Sequence, residues 1–213
     1  MPLFWYSLFM YLPQQFNHPK HAAAIMREHP FASLVSTDGD GFPFVTHLPL
    51  KLIEEGGEPV ALLGHCARAN PHARFLQVRP QALVTFMGPQ AYMSPAVYPD
   101  LLRVPTWTYL AVHARVEARM LDGDDAKDAM LKQMIADHEP AYADQWRALP
   151  ESYAYGMLNG IVAFELKILD LKTKVKINQH RPESHAAMHA AYAQGGEQEQ
   201  ALAQWMQRLG MVA

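Results

Sequence analysis

The chain of 213 residues contains one cysteine, Cys66, which excludes an internal disulfide framework and most zinc modules and favours a reducing compartment. Charged residues make up only 18% of the chain and the formal net charge is −3, so binding of nucleic acid through bulk positive charge is disfavoured. No apolar run approaches the ~20 residues that a membrane-spanning helix needs. We therefore expect a cytoplasmic protein without a membrane partner.

Half of the residues are hydrophobic, which excludes disorder over most of the chain. The apolar first segment, residues 1–9, lacks both the basic start and the small-residue cleavage pattern of a signal peptide. We interpret it as an N-terminal extension and expect its deletion to leave the fold intact. The remainder is predicted to be one domain over residues 10–181, with a helical insertion at about 122–158 and a C-terminal helical tail over 182–213.

Short apolar runs separated by turn residues predict a mainly antiparallel β protein. The extended runs are expected at residues 31–37, 42–53, 60–65, 82–87, 106–120 and 161–177, with a long loop over 88–104. Helices are expected before residue 30, from about 70 to 77, twice between 122 and 149, and from 185 to 209 with an interruption at the paired glycines. Because this order does not alternate strand and helix, an antiparallel barrel with peripheral helices fits better than a doubly wound parallel sheet.

The segment Gly64–Pro71 is a candidate phosphate site. It brings His65 and Arg68 from a strand end to the start of a helix, and an arginine there can bind phosphate with two parallel hydrogen bonds. A plain helix cap with a surface arginine and a packed histidine is an equally good interpretation. The segment lacks the glycine pattern of the common nucleotide-binding loops.

Three further stretches can contact a ligand. Thr46 and His47 can hold a flat ligand, although a simple barrel edge strand explains these two residues better. The aromatic stretch 92–109 offers stacking surfaces for a pocket or a subunit interface, or is an ordinary packed loop. The basic stretch Lys172–Arg181 can bind phosphate of a ligand or of DNA, or is a solvent-exposed strand face.

The eleven histidines do not predict a metal site. His185 and His189 have helical spacing, but no carboxylate accompanies them at a fixed distance and the His-Glu-x-x-His pattern is absent. Cys66 and His65 are neighbours on a strand, so their side chains point to opposite faces and do not form a thiol–imidazole pair. No catalytic residue can be assigned from the sequence.

Short motifs in a fixed order resemble the PaiB family of FMN-binding negative transcriptional regulators. They are Met10–Pro13 with Phe16, Pro30–Val35, Thr46–Leu50, Gly64–Pro71, Gly88–Pro95, Val104–Trp107 with Tyr109 and Val112–His113, and Lys174–Arg181. The resemblance implies a split β-barrel of the FMN-binding type, usually a homodimer with the flavin at the subunit interface. It implies FMN as the cofactor and a regulatory role.

The resemblance also implies cofactor-binding residues. These are His65, Arg68 and Asn70 at the phosphate, Thr46 and His47 along the flavin, Tyr92, Ser94 and Trp107 in the pocket or interface, and Lys176 and Gln179 on the last strand. Three motifs depart from the family pattern, at His72–Ala73, at Thr108 and at Asn178–His180. Because these positions lie in the motifs nearest the cofactor, weakened or lost FMN binding, or a different ligand, is an alternative.

Two other functions remain open at this point. One is a flavin- or heme-dependent oxidoreductase of the same superfamily, in which the cofactor performs the chemistry and His47 or His113 is the best available candidate for proton transfer. The other is a ligand-binding or structural homodimer that has lost FMN. Direct DNA binding is disfavoured, since no helix-turn-helix pattern accompanies the basic stretch.

Overall fold

A computed structural model describes residues 9–100 and 102–212. Spatial contacts divide the chain into two compact units. Unit 1 contains the residues up to Glu28, residues 87–113 and the residues from Lys172 onward, and unit 2 contains residues 29–86 and 114–171. Three long strands have one part in each unit. We describe each unit by itself.

The described residues form one antiparallel sheet of seven strands, which confirms the predicted mainly antiparallel class. The strands are β1 (Phe31–Thr37), β2 (Pro43–Pro49), β3 (Lys51–Glu55), β4 (Glu58–Ala67), β5 (Gln81–Met93), β6 (Thr106–Leu121) and β7 (Ile161–Lys176). Their order in the sheet is β2-β1-β5-β6-β7-β4-β3.

Seven α-helices lie in the described residues. They are α1 (Ala22–Glu28), α2 (His72–Val78), α3 (Asp124–His138), α4 (Tyr142–Ala148), α5 (Glu151–Asn159), α6 (His185–Ala193) and α7 (Glu197–Arg208). Helices α3 to α5 occupy the segment predicted as a helical insertion, and α6 and α7 are the tail helix with its predicted interruption. Among the residues that the structure describes, no helix combines the length and the apolarity needed to cross a membrane.

In unit 2, β1 and β2 form an antiparallel hairpin, and their turn is closed by Asp38. Its Oδ1 atom accepts hydrogen bonds from the backbone N–H groups of Asp40 and Phe42. The extended run expected over 42–53 is two strands, because the chain breaks at Leu50, whose N–H donates to the Pro30 carbonyl. Pro43 and Pro49 lie on β2 at one end of the strand order, where a missing ladder donor is tolerated.

Strand β4 of unit 2 contains Gly64 at a point where β2 also contacts it. A Cβ atom on Gly64 would collide with the buried Leu50 side chain and would touch Leu48 and Phe164. The absence of a side chain therefore lets the strands approach closely. An apolar cluster joins Leu63 and Ala163 of the strands to Met130 and Met134, which anchors α3.

In unit 1, β5 continues to Met93, so residues 88–93 are strand and not the start of the expected loop. Ala91 and Met93 are buried while Gln90 and Tyr92 are exposed, which is the alternation of a half-buried strand. The prolines at 89, 95 and 99 obscured this alternation in the sequence. On β6 of the same unit, Leu110 and Val112 are fully buried.

The tail helices of unit 1 pack against each other, and Met188, Tyr192 and Leu202 on them are buried. The predicted N-terminal extension, residues 1–9, lies outside the described residues except for Phe9. The Phe9 carbonyl lies 3.4 Å from the Nδ1 atom of His113 in unit 1. The division into residues 10–181 and 182–213 stays a prediction.

Candidate functional site

A chain of hydrogen bonds in unit 2 joins two of the predicted site residues, Thr46 and Asn70, to Ser36 and His72, which are not among the predicted cofactor residues. The Asn70 side-chain amide donates to Thr46 Oγ1 over 3.1 Å. His72 Nδ1 lies 2.8 Å from the same oxygen, and His72 Nε2 lies 2.9 Å from Ser36 Oγ. The hydrogen bonds therefore run in the order Ser36–His72–Thr46–Asn70, and the Thr46 hydroxyl contacts both the His72 imidazole and the Asn70 amide.

Local structure explains how His72 enters this chain. Asn70 Oδ1 accepts the backbone N–H of His72, the first residue of α2, so the asparagine closes the turn that begins the helix. The imidazole is 1% exposed and stands edge-on to the Phe44 ring at 5.2 Å. Burial lowers the pKa of His72 from 6.5 to about 4, so the ring is neutral at pH 7 and can donate through only one nitrogen.

The predicted phosphate residue Arg68 is exposed and already makes hydrogen bonds within unit 2. Its Nε atom donates to the Asn159 carbonyl at 2.5 Å, and Nη2 donates to the Ile161 carbonyl at 3.3 Å. These bonds tie the end of α5 and the start of β7 to the end of β4. Because a guanidinium has five N–H groups, the predicted anion contact requires those that do not face the two carbonyls.

His65 of β4 provides an unpaired polar atom in unit 2. It lies opposite Ala163 of β7, and its Nδ1 atom is buried without a hydrogen-bond partner in the described structure. Burial lowers the pKa of His65, which favours the neutral ring. Since buried polar atoms in native proteins are nearly always paired, a ligand atom at Nδ1 would satisfy this one.

His47 lies apart from the Thr46 hydroxyl because adjacent strand residues face opposite ways. It is exposed, its Nδ1 atom lies 3.0 Å from Ser33 Oγ, and its ring stacks on Phe31 with centroids 6.5 Å apart. The structure therefore brings Thr46 and Asn70 into direct contact and places His47 on the other face of β2.

Unit 1 contains a cavity of about 450 Å³ that none of the sequence motifs defines by itself. Its lining comes from three separate segments of the chain and includes Phe16, Tyr98, Arg103, Thr106, Lys176, Asn178, His180 and Arg181. Of these, only Lys176 belongs to the predicted cofactor residues. The basic stretch Lys172–Arg181 was the signal in the sequence, because its last part lines the cavity.

Lys176 donates two hydrogen bonds inside unit 1, each 2.7 Å long, to Thr106 Oγ1 and to the backbone carbonyl of Trp107. Both acceptors are neutral. Partial burial lowers the pKa of Lys176, the Tyr109 hydroxyl acts in the opposite direction, and the neighbouring Lys174 lowers it further. A half-buried ammonium with neutral acceptors is suited to an anionic ligand.

Two residues of the last motif stabilise the turn after β7. Asn178 has a φ of 63°, a left-handed conformation that is rare outside glycine. Its side-chain amide donates to the Tyr98 hydroxyl at 2.9 Å and to Ser184 Oγ at 2.8 Å. The Gln179 amide donates to the Val175 carbonyl, and its oxygen accepts the Ile177 N–H. The cofactor contact expected of Gln179 stays a prediction.

The remaining predicted residues, Tyr92, Ser94 and Trp107, lie on the strand ends of unit 1. The rings of Tyr92 and Trp107 are about half exposed and meet edge to face at 6.5 Å. Ser94 accepts the N–H of Ala96 and so caps the turn that follows β5. Two exposed aromatic rings side by side offer a surface for a ligand or a second subunit.

The strand order, the helical additions and the candidate ligand residues define a mainly antiparallel split β-barrel protein. Residues 10–170 match a family model described as "Putative FMN-binding domain". The chain also is 32% identical over 179 residues to "Protease synthase and sporulation protein PAI 2" of Bacillus subtilis (strain 168), which covers 82% of this chain and 84% of that protein. This chain therefore belongs to the PaiB family of proteins with an FMN-binding domain, which confirms the resemblance seen in the motifs.

Solved structures share the fold. The flavocytochrome Anf3 from Azotobacter vinelandii has a TM-score of 0.58 at 16% identity, covering 76% of this chain and 69% of that one. The FAD and heme binding protein from Mycobacterium smegmatis has a TM-score of 0.58 at 17% identity, covering 76% and 73%. At these identities the likeness concerns the fold alone.

Proposed function

We propose that this protein binds a flavin and that the flavin is FMN. The match of residues 10–170 to the FMN-binding family model is the observation that carries this proposal. Bound FMN would supply electron-transfer chemistry, while the residues of this chain bind and orient it. A cytoplasmic location is part of the same proposal, on the strength of the single cysteine and the composition.

The polar groups of unit 2 fit the phosphate of FMN. Arg68 has N–H groups beyond the two that face backbone carbonyls, the Asn70 amide has a second hydrogen, and His65 Nδ1 is buried and unpaired. Hydrogen bonds from such donors to a charged phosphate are among the strong ones in proteins. We propose His65, Arg68 and Asn70 as phosphate contacts, with Thr46 oriented by His72 beside them.

The remaining predicted contacts to the flavin are also part of the proposal, and their support is the exposure or the free side-chain atoms of each residue. His47 is exposed and stacked on an aromatic ring, and Tyr92 and Trp107 present exposed rings. Ser94, Gln179 and Lys176 have side chains that already hold groups of their own unit, so contacts from them would use their remaining atoms. The exposed pair of Tyr92 and Trp107 supports the proposal of a homodimer, which sedimentation of the purified protein tests.

The test of cofactor binding is the visible absorbance of the protein as purified and after incubation with FMN. Flavin absorbance that survives gel filtration is the expected result, and a colourless protein that takes up no added FMN would reject the proposal. Asn70→Ala and Thr46→Val should each weaken FMN binding about 5-fold, since each removes a hydrogen bond worth ~1 kcal/mol. Thr37→Val, at the end of β1, is the matched control and should bind FMN like the parent protein.

We also propose that this protein has a regulatory role. Its support is the resemblance to the PaiB family and the identity to a Bacillus protein whose name refers to protease synthesis and sporulation. Direct contact with DNA would require the basic stretch of β7, so binding to promoter DNA should be measured across a salt series. Absence of affinity at low salt would exclude direct binding.

An oxidoreductase is the second candidate function. The observation in its favour is the shared fold with a flavocytochrome and with a protein that binds FAD and heme. NAD(P)H-dependent turnover of flavin or heme by the purified protein would support it. Absence of turnover in protein that retains FMN would leave the binding proposal and remove this one.

A further inference from the structure

We propose that the cavity of unit 1 is a binding site for a small planar aromatic anion, a carboxylate or sulfonate other than the flavin. The site is built from Phe16, Tyr98, Arg181 and Lys176, all of unit 1. The first three are not among the proposed flavin contacts, whereas Lys176 is one of them, and this inference assigns it to the aromatic anion instead. The inference uses the contacts of unit 1 alone and does not depend on FMN binding.

The charges around the cavity favour an anion. Arg103 is neutralised, since its Nη2 atom lies 2.7 Å from an Asp100 oxygen and 3.5 Å from a Glu183 oxygen. Within residues 9–100 and 102–212, neither Lys176 nor Arg181 forms an ion pair with a carboxylate. A cation facing a cavity without a counter-charge attracts an anion there more strongly than in open solvent, because the surrounding protein has a lower dielectric constant.

The walls of the cavity favour a flat apolar body. The buried ring of Phe16 meets the ring of His180 edge to face at 5.6 Å, and the Tyr98 ring lies under the Arg103 guanidinium at 4.6 Å. Aromatic rings bind other rings by stacking and edge contacts. The volume of about 450 Å³ lies in the range of small-molecule sites.

The anion-binding groups are held in place before a ligand arrives. Lys176 is fixed by Thr106 and the Trp107 carbonyl, so its ammonium does not need to be ordered on binding. The left-handed turn at Asn178 separates Lys176 from Arg181, and the Asn178 side chain donates a hydrogen bond to the Tyr98 hydroxyl. Sparsely populated backbone conformations persist where the surroundings hold them, and they cluster at ligand sites.

Titration calorimetry with naphthalene-2-sulfonate tests the site on the full chain. We expect saturable binding of one probe, at least 10-fold weaker binding of the uncharged naphthalene-2-sulfonamide, and a loss of at least 10-fold in Lys176→Met and in Arg181→Met. Lys172→Met, on the same strand but outside the cavity lining, should bind the probe like the parent. Equal affinity of the sulfonate and the sulfonamide, or unchanged affinity in both cavity variants, would overturn the inference.

Lys176→Arg keeps the charge and should retain affinity within about threefold. It covers the case in which Lys176→Met does not fold, and a loss as large as 10-fold in this folded variant would count against the charge argument. Competition separates the two ligands. Probe affinity that is unchanged by saturating FMN supports a separate site, whereas competitive displacement by FMN returns Lys176 to the flavin and overturns this inference. A protein that binds the probe but never FMN contradicts only the flavin proposal.

Discussion

His72 Nδ1 lies 2.8 Å from Thr46 Oγ1 although 26 residues separate them, and the ring's other nitrogen is paired with Ser36. A neutral buried imidazole between two hydroxyls fixes the direction of both hydroxyl groups. The Thr46 hydroxyl, predicted to lie along the flavin, is therefore oriented by a residue that departs from the family pattern. In the structure, this departure places a buried imidazole with a hydrogen-bond partner at each nitrogen beside Thr46.

The first prediction concerns the pH dependence of stability. The pKa of His72 is about 4 in the folded protein and 6.5 without burial. As the pH falls below 6.5, His72 is protonated in the unfolded chain but not in the folded protein. The contribution of His72 to the free energy of unfolding is therefore fully present above pH 6.5 and decreases until about pH 4. The expected loss attributable to His72 is about 3 kcal/mol, from urea unfolding across this range.

His72→Gln removes the titrating ring, so its stability should decline less between pH 6.5 and 4 than that of the parent protein. Ser36→Ala is the matched control. It removes one hydrogen-bond partner but keeps the imidazole, and should lower stability by about 1 kcal/mol while the decline in acid persists. Curves of identical slope for the parent and His72→Gln would contradict the assignment.

The second prediction concerns the left-handed backbone at Asn178 in unit 1. Asn178→Ala loses two side-chain hydrogen bonds and also the short polar side chain that lets asparagine tolerate a φ of 63°, so the left-handed backbone should cost a further ~1 kcal/mol. We expect a loss of about 2–3 kcal/mol in the free energy of unfolding. Asn178→Gly loses the same bonds without the backbone penalty, so it should be the more stable variant by about 1 kcal/mol. The reverse order of the two melting temperatures would be incompatible with this account.

The third prediction concerns the close approach at Gly64. Gly64→Ala puts a methyl group into the buried Leu50 side chain, and repacking should cost about 1–3 kcal/mol. Gly156→Ala is the control, because a Cβ on this residue of α5 meets nothing within 4 Å. Alanine has the better helix propensity, so this variant should gain up to about 1 kcal/mol. Thermal melting of both variants compares them directly, and equal shifts would disprove the packing argument.

The fourth prediction concerns the attachment of α3 to the sheet in unit 2. Met130 is 2% exposed and packs with Leu63, Met134 and Ala163. Met130→Ala should lower the free energy of unfolding by about 2–4 kcal/mol through lost burial and the cavity left behind. Met157→Ala, a change at a 47% exposed methionine of α5, should lower it by less than about 1 kcal/mol. Chemical denaturation measures both, and comparable losses would show that α3 is not anchored through this cluster.

Local pattern was a good guide wherever one face of a strand is buried. The alternation through Leu110, Val112, Ala114 and Val116 predicted a half-buried β6, and all four side chains are fully buried. The same reasoning missed residues 88–93, because Pro89 interrupts a strand whose register is nonetheless continued by Ala91 and Met93. Proline removes one donor, but it does not prevent a chain from remaining extended.

The candidate sites were predictable only in part. The contact of Asn70 with Thr46 lies within motifs that the family resemblance selected, and the turn role of Asn70 follows from its position before Pro71. The engagement of Arg68 with the Asn159 and Ile161 carbonyls was not predictable, since it joins segments about 90 residues apart. A surface arginine is assigned to a ligand or to its own chain only when its neighbours in space are known.

By itself, the sequence determined the antiparallel class, the strand faces, the two-part helical tail and the family, because these depend on the periodicity of burial and on short ordered motifs. Only the tertiary structure decided that His72 is a buried neutral hydrogen-bonding residue, and that Phe16, Tyr98 and Lys176 surround one cavity. Those side chains come from distant segments of the chain. Strand pairing and core packing bring them together. The burial of apolar surface in the folded protein offsets the conformational entropy lost on ordering the chain, and no local sequence pattern specifies which distant segments are buried against each other.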